Sequence, residues 1–431
     1  MNHDAGRRGR RAARQERGGA RLPAQLAAAR ELLALVLRFD APADAVVSRY
    51  FRAHPQLGQR DRHVLAETVY QIVRQLRLWR HLAQGAPAPL DLCLLALGWH
   101  GDEALLGDAL RGWRDATRAR DSDALPAALR YSLPDWLAQG LQHVAGFDAL
   151  AASLLQPAAL DLRVNALKAT RDEALTQLRA AGIEATPTPL SPWGLRVLGK
   201  PALQRVPAFV DGVVEVQDEG SQLLPWLLAP RRGEMVADFC AGAGGKTLAL
   251  GALMRNSGRL YAFDTAAHRI DKLRPRLARS GLSNVYPVVI SHERDDRVRR
   301  LAGKLDRVLV DAPCSGSGTL RRNPDLKWRM HAGDIPRLAA QQSAILHAAA
   351  QLLKPGGRLV YATCSLLRDE NQAVIDAFLD ASPAFERLDA AAVLAQQHLA
   401  LPASGPMLEL RPDRDGTDGF FAAVLQRRRD A

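Results

Sequence analysis

The sequence predicts an α/β protein whose C-terminal half forms a doubly wound parallel sheet, preceded by a small α+β segment and an all-α N-terminal domain. Three observations carry this prediction. Short apolar runs alternate with helical segments from residue 231 onward, which is typical of parallel sheets. Only helical periodicity is present between residues 22 and 150. Residues 151–230 mix short strand-like runs with a capped helix.

The N-terminal region is predicted to be a basic arm followed by helices. Residues 1–21 are rich in Arg and Gly and contain no apolar segment, so we expect a disordered arm and no secretory signal. Apolar residues between Leu65 and Trp79 follow the spacing of one helix face, and Asp61 is placed to cap that helix. The first domain boundary is therefore placed at residue 150.

The segment 151–230 is predicted to contain three strands and one helix. Strands are expected over residues 160–167, 195–198 and 212–216. Thr170 and Glu173 have the spacing of a capping box, and Gly182 is placed to end the helix that they open. This segment is short for an independent core, so we expect it to pack against its neighbours.

The region 231–431 is predicted to form the parallel sheet. Helices are expected over residues 246–254 and 334–353. The expected strands are 235–239, 259–263, 285–290, 307–310, 358–361 and 420–425. Right-handed crossovers place the carboxyl ends of parallel strands on one edge, where open α/β sheets bind their ligands.

Composition limits the class of protein and its environment. Four cysteines in 431 residues, with no closely spaced pair, exclude a disulfide scaffold and a zinc knuckle, so we expect a reducing cytoplasm. No uninterrupted apolar stretch is long enough to span a bilayer, and no metal-ligand cluster is visible. We expect a monomer that binds neither membrane nor metal.

A net charge of +12 indicates a polyanionic partner such as nucleic acid. The alternative is a composition in which Arg replaces Lys without any binding role. Clustering favours binding, because four cations lie close together around Trp328, whose ring could stack on a base. These cations are Arg321, Arg322, Lys327 and Arg329.

A glycine-rich turn follows the first strand of the parallel sheet, between Asp238 and Thr247. A P-loop would need Gly at position 240, which is Cys, and a dinucleotide fingerprint starting at Gly242 would need Gly at position 247. Both patterns fail by one residue. Asp264 lies twenty positions after Gly244, a suitable spacing for a carboxylate that binds ribose hydroxyls. This third interpretation predicts an adenosine ligand without pyrophosphate, and we infer S-adenosylmethionine.

Two cysteines follow two of the predicted strands. Cys314 stands in Asp-Ala-Pro-Cys-Ser-Gly, and Cys364 in Thr-Cys-Ser. A free Cys is most often a buried, inert side chain. These two differ because Pro, Ser and Gly flank them at strand ends that face the ligand crevice.

Several motifs occur in one order and together resemble the RsmB/Nop/Sun family of RNA cytosine-5 methyltransferases. The resemblance covers about residues 160–426, and the helical leader is similar, more weakly, to the NusB-type RNA-binding module of bacterial ribosomal RNA members. The motifs are RVNALKA (163–169), VQDEGSQL (216–223), CAGAGGKT (240–247), DAPCSGSG (311–318), RRNPDLKW (321–328), YATCS (361–365) and DGFF (418–421).

This resemblance implies a Rossmann-like methyltransferase domain over 231–431 that uses S-adenosylmethionine on RNA. It makes Cys364 the nucleophile and Cys314 the residue that assists release of the methylated base. Asp311 is expected to contact the cytosine edge and Lys246 to orient Asp311 or the base. Arg163 and Asn165, in the expected RNA-binding segment 151–230, are predicted RNA contacts. The predicted cofactor residues are Cys240, Ala241, Gly242, Ala243, Gly244, Gly245, Lys246, Asp264, His292 and Asp311.

Two positions depart from the family pattern. Ala243 stands where members usually have Pro, and His292 stands where they present an Asp to the adenine.

Ribosomal RNA is the favoured substrate because of the helical leader and the basic arm, and transfer RNA is the alternative. A third hypothesis is an assembly factor that binds RNA but has lost activity.

Overall fold

The computed structural model describes residues 22–120, 122–401 and 405–430. The predicted basic arm, residues 1–21, lies outside the described residues. The chain divides into two compact units, one up to Pro134 and one from Asp135 onward. The helices Asp135–Leu141 and Phe147–Leu154 therefore belong to the second unit. The predicted boundary at residue 150 instead places the first of these helices, and the start of the second, with the N-terminal helices. The boundaries at 150 and 230 stay predictions.

The described part of the first unit is helical. The predicted helix through Leu65 and Trp79 is two helices, because the backbone leaves helical geometry at Gln75 (φ −112°, ψ 20°). The Asp61 carboxylate accepts from the Gly58 N–H at the start of the first. The helices are Ala24–Val36, Ala43–Ala53, Gln59–Arg74, Leu76–Leu82, Leu90–Gly98, Asp108–Arg118 and Ala127–Arg130, with a 3-10 turn at Glu103–Leu106.

The second unit contains a small antiparallel sheet with the strand order β2-β3-β1-β4. Its helix Arg171–Ala180 begins at the predicted capping box, in which Thr170 Oγ1 accepts from Glu173 N–H and Glu173 accepts from Thr170 N–H. The three-residue strand β2 was not predicted. The strands are β1 Leu160–Val164, β2 Ala185–Pro187, β3 Gly194–Val197 and β4 Val214–Val216.

The second, larger sheet confirms the α/β prediction. Its order is β10-β12-β9-β8-β5-β6-β7, and β11 pairs with β12. The five strands β5 to β9 are parallel to one another, whereas β12 is antiparallel to β9, so the sheet is mixed. The strands are β5 Met235–Phe239, β6 Arg259–Asp264, β7 Val285–Val289, β8 Leu305–Asp311, β9 Leu353–Thr363, β10 Phe385–Leu388, β11 Leu408–Leu410 and β12 Phe420–Arg427.

Helices cover both faces of this sheet, and each face has its own apolar core. One core contains the helices Glu219–Leu228, Gly245–Leu253 and Ala267–Ser280. The other contains Asp334–Ala350 and Gln372–Ala381. The remaining helices and 3-10 turns are Leu203–Arg205, Pro207–Val210, Asp296–Arg299, Ser317–Thr319, Leu326–Arg329, Arg368–Glu370, Ala390–Ala395 and Pro412–Asp415. Across the described ranges, no helix has the length and apolar character needed to cross a membrane.

Candidate active site

The glycine-rich turn leaves β5 at the carboxyl edge of the sheet and enters the helix Gly245–Leu253. Gly244 has a φ of +84°, and a Cβ there would lie 2.1 Å from Leu273 Cδ1, so any other residue would be strained and would displace the Leu273 side chain. Gly242 (φ +57°) instead faces open space, where an added Cβ would meet nothing within 4 Å. The turn therefore packs closely against the helix Ala267–Ser280 at Gly244 and leaves open space beside Gly242.

Asp264, at the end of β6, fixes this turn. Its two carboxylate oxygens accept from the Gly242 N–H at 2.8 Å and the Ala266 N–H at 2.7 Å. The side chain is 5% exposed. Because each carboxylate oxygen has two lone pairs, both oxygens keep one for a further donor such as a ribose hydroxyl. The carboxylate and the open space at Gly242 therefore fit the ribose of S-adenosylmethionine.

His292 follows the adjacent strand β7 and is exposed. Its Nδ1 accepts from the Arg294 N–H at 3.1 Å, which fixes the orientation of the ring. The neighbouring Ile290 N–H donates to the Asp264 carbonyl, so this strand end lies beside the Asp264 end. The predicted contact of His292 with adenine stays a prediction.

Lys246, in the first turn of the helix after the glycines, reaches across to β8. Its Nζ donates to Asp311 Oδ2 at 2.6 Å, and the two side chains are 13% and 29% exposed. Burial disfavours the ammonium, but the Asp311 carboxylate outweighs this effect and raises the pKa of Lys246. Lys246 is therefore charged at neutral pH and holds Asp311 in place.

The two cysteines predicted to share a crevice are in contact. Cys314 Sγ and Cys364 Sγ lie 3.4 Å apart, and both side chains are half-buried. The parallel pairing of β8 with β9 explains this contact, because it aligns Asp311 with Ala362 and brings the two strand ends together. The hydrogen bond with Cys364, together with burial, raises the pKa of Cys314 well above its ordinary value. Cys314 is therefore held as a thiol.

A buried carboxylate that was not predicted from the sequence lies behind the two cysteines. Glu370 is fully buried and accepts from Ser315, which follows Cys314, and from Ser365, which follows Cys364. Gln342 also donates to it, at 3.0 Å. No local pattern marks this residue, because its partners other than Ser365 come from distant parts of the chain.

A second buried carboxylate, Asp238, lies at the end of β5 beneath the turn. Thr247 Oγ1 donates to its Oδ2 at 2.6 Å. Among the described residues its Oδ1 has no hydrogen-bond partner. Burial raises the pKa of the Asp238 carboxyl to about 7.

Known proteins share both the sequence and the fold. The profile described as 16S rRNA methyltransferase RsmB/F matches residues 225–426, and an RsmF/B-like ferredoxin-like domain matches residues 133–204. The chain is 33% identical over 447 residues to the probable ribosomal RNA small subunit methyltransferase B of Synechocystis, and the match covers 93% of this chain and 99% of that relative. The chain belongs to the RsmB/F methyltransferase family.

Further comparisons agree with this membership. The ribosomal RNA small subunit methyltransferase B of Vibrio cholerae is 33% identical over 412 residues, covering 87% of this chain and 92% of that protein. A crystal structure of a methyltransferase homolog from Pyrococcus horikoshii has a TM-score of 0.60 and 30% identity, covering 72% of this chain and all of that one. The resemblance inferred from the motifs is confirmed, as is the expectation of a methyltransferase.

The predicted RNA contacts of this RsmB/F methyltransferase have partners within the protein. Arg322 pairs with Asp218 and Asp418, and Arg321 donates to backbone carbonyls including Pro157 O. Arg329 pairs with Asp325 at 3.4 Å. Lys327 is buried, with its Nζ over the Trp328 ring at 5.0 Å. The structure thus gives these cations a role in holding the segment after Cys314.

Arg163 and Asn165 are also enclosed. The Arg163 guanidinium is 1% exposed and donates to Gln217 Oε1 at 2.6 Å, and Asn165 Nδ2 donates to the carbonyls of Gly212 and Ser280. The bond to the Ser280 carbonyl ties the small sheet to the helix Ala267–Ser280, which packs on the larger sheet. Contact with RNA stays a prediction for all six residues.

Proposed function

We propose that this protein transfers a methyl group from S-adenosylmethionine to carbon 5 of a cytidine in RNA, and that small-subunit ribosomal RNA is the substrate. The observation that carries the proposal is the pair of thiols, 3.4 Å apart, beside the Lys246–Asp311 ion pair. The names of the Synechocystis and Vibrio cholerae relatives support the choice of RNA.

The chemistry explains the need for a nucleophilic thiol. Carbon 5 of cytosine is a weak nucleophile until another group adds to carbon 6 and turns the ring into an enamine. The Cys364 thiolate forms the bond to carbon 6, since a thiolate is both a strong nucleophile and a good leaving group. S-Adenosylmethionine would supply the electrophilic methyl group, which bonds to carbon 5 as the methyl–sulfonium bond breaks and S-adenosylhomocysteine leaves.

The remaining steps return the ring to aromaticity. The proton on carbon 5 passes to solvent water, the bond between Cys364 and carbon 6 breaks with its electron pair returning to Cys364 as a thiolate, and the double bond between carbons 5 and 6 reforms. Cys314, held as a thiol against Cys364, is placed to assist this elimination. Asp311, oriented by Lys246, is placed to contact the ring edge while electrons flow into it and back out.

The residues that would hold S-adenosylmethionine are those of the turn and the neighbouring strand ends. Asp264 offers two carboxylate oxygens to the ribose hydroxyls, and Gly242 leaves space beside them. The amide groups at the start of the helix Gly245–Leu253 lie at the same edge. We place the adenine near His292.

The target cytidine must be accessible from the face of its ring. A base stacked in a helix exposes neither face to a thiolate, so the substrate cytidine is unpaired or extruded. Transfer RNA offers such bases as well, and it remains the alternative substrate.

One experiment separates these substrates from an inactive assembly factor. Purified protein is incubated with labelled S-adenosylmethionine and either deproteinised small-subunit ribosomal RNA or transfer RNA, and 5-methylcytosine is mapped by bisulfite sequencing. We expect label in one cytidine of the ribosomal RNA and none with Cys364→Ala. Label in transfer RNA alone would identify transfer RNA, and not ribosomal RNA, as the substrate. Tight binding of ribosomal RNA without label in either RNA would overturn the enzymatic proposal.

A further inference from the structure

The carboxylate of Glu370 lies between the two cysteine loops and bonds to both. Its Oε1 accepts from the Ser315 N–H at 2.8 Å, and its Oε2 accepts from the Ser315 and Ser365 hydroxyls. Ser315 and Ser365 are the residues that directly follow Cys314 and Cys364. One side chain therefore links the backbone positions next to both thiols.

Two neighbours complete this network on the Cys314 side. Gln342 Nε2, from the helix Asp334–Ala350, donates both to Glu370 Oε1 and to the Pro313 carbonyl, each at 3.0 Å. Ser317 Oγ lies 3.2 Å from Ser315 Oγ and 3.1 Å from Ser365 Oγ, and it accepts from the Leu366 N–H. The residues before and after Cys314 are thus both fixed with respect to Glu370.

The placement of a charge here has a physical consequence. Glu370 is fully buried, and a buried carboxylate is costly unless donors satisfy its oxygens. Two N–H groups and two hydroxyls provide that satisfaction, and all of their owners lie in or against the cysteine loops. The loops cannot separate without leaving the carboxylate unpaired, so the cost of its burial holds them together.

We propose that Glu370 is a positioning residue that sets the distance between the Cys314 and Cys364 thiols. The inference rests on the proposed function, because a fixed thiol pair matters only if both thiols act on the same cytosine ring. Glu370 acts through Ser315 and Ser365 and does not itself touch the substrate. The role of Glu370 is thus to keep the second thiol within reach of the adduct formed by the first.

The spacing can be measured without any methyl transfer. Diamide, a diazene, oxidises two adjacent thiols to a disulfide and is itself reduced to the hydrazine, taking up both thiol protons. We expect the Cys314–Cys364 disulfide, identified by peptide mass mapping, to form quickly in the wild-type protein without RNA. In Glu370→Ala the same disulfide should form at least tenfold more slowly, whereas Glu370→Gln should stay within about threefold of wild type because its amide can still bond both loops.

Two further variants control for folding. Asn284→Ala removes a buried hydrogen-bonding side chain far along the chain, whose Nδ2 donates to Ser257 O, and it should leave the disulfide rate unchanged. Ser365→Ala removes the hydrogen bond from the Ser365 hydroxyl to Glu370 and keeps those from Ser315. This variant tests the proposal if Glu370→Ala does not fold. It should slow disulfide formation several-fold. Equal rates in wild type, Ser365→Ala and any folded Glu370→Ala would overturn the proposal.

Turnover supplies the second readout. Glu370→Ala should lower kcat for methyl transfer at least tenfold with the KM for S-adenosylmethionine unchanged, and Glu370→Gln should restore most of it. An unchanged kcat in Glu370→Ala would contradict the positioning role. If wild-type protein methylates no cytidine while the disulfide rates follow the expected order, the proposed function fails and the positioning of the thiols by Glu370 stands.

Discussion

Replacement of Asp264 by Ala tests the proposed cofactor site and the turn that supports it. The carboxylate accepts from two backbone N–H groups and keeps two lone pairs for ribose hydroxyls. A hydrogen bond to a charged group contributes about 1.5–3 kcal/mol, so loss of one ribose contact raises the dissociation constant at least about tenfold and loss of two at least about a hundredfold. Titration calorimetry with S-adenosylmethionine measures this change directly.

The same substitution leaves the Gly242 and Ala266 N–H groups without their acceptor, which lowers the free energy of unfolding by about 1–3 kcal/mol for each group that water does not reach. Asp264→Asn keeps one acceptor oxygen and should lie between wild type and Asp264→Ala in both measurements. Asp271→Ala, which removes a carboxylate that is 73% exposed on the next helix, should change neither. Equal affinity for S-adenosylmethionine in wild type and Asp264→Ala would place the cofactor elsewhere.

Three further predictions concern charge. Lys246→Met leaves the Asp311 carboxylate unpaired, so it should lower the unfolding free energy by roughly 1–3 kcal/mol and abolish methyl transfer. The double variant with Asp311→Asn should regain stability in thermal melts without regaining activity. Burial raises the pKa of Asp238 to about 7, so between about pH 4 and 7 the folded state holds a proton that the unfolded state has released. The unfolding free energy of wild type should therefore fall relative to that of Asp238→Asn as pH rises from about 4 to 7. Unfolding free energies that change with pH in parallel for the two proteins, measured by denaturant titration, would refute this. Deletion of residues 2–21 should make the slope of the logarithm of the RNA-binding constant against the logarithm of salt concentration shallower by about 0.7 for each phosphate that the arm neutralises. The methylated cytidine should not change. An unchanged slope would show that the arm does not bind RNA.

Local patterns were sufficient to predict the strand ends that build the site. The glycine turn, Asp264 and the two cysteines each follow a short apolar run, and parallel pairing then brings them to one edge. The contact of the two cysteines follows from the same rule. The capping box at Thr170 is equally local, and it forms as predicted.

Contacts between distant segments could not be predicted in this way. Glu370 bonds to Ser315, 55 residues away, and no periodicity marks either residue. Arg163 was predicted to contact RNA from the family resemblance, but it is buried and bonds to Gln217, 54 residues away. The strand predicted over residues 420–425 is β12, but its antiparallel direction was not predicted, because a short apolar run does not reveal direction.

The reaction of the two single cysteine variants with RNA tests the central claim most directly. Cys364→Ala should neither methylate cytidine nor form a covalent complex, because the ring never becomes nucleophilic. Cys314→Ala should attack and methylate, then stall before elimination, and give a protein–RNA adduct that survives denaturing electrophoresis and depends on S-adenosylmethionine. An adduct from Cys364→Ala and none from Cys314→Ala would assign the nucleophile to Cys314 and contradict the mechanism.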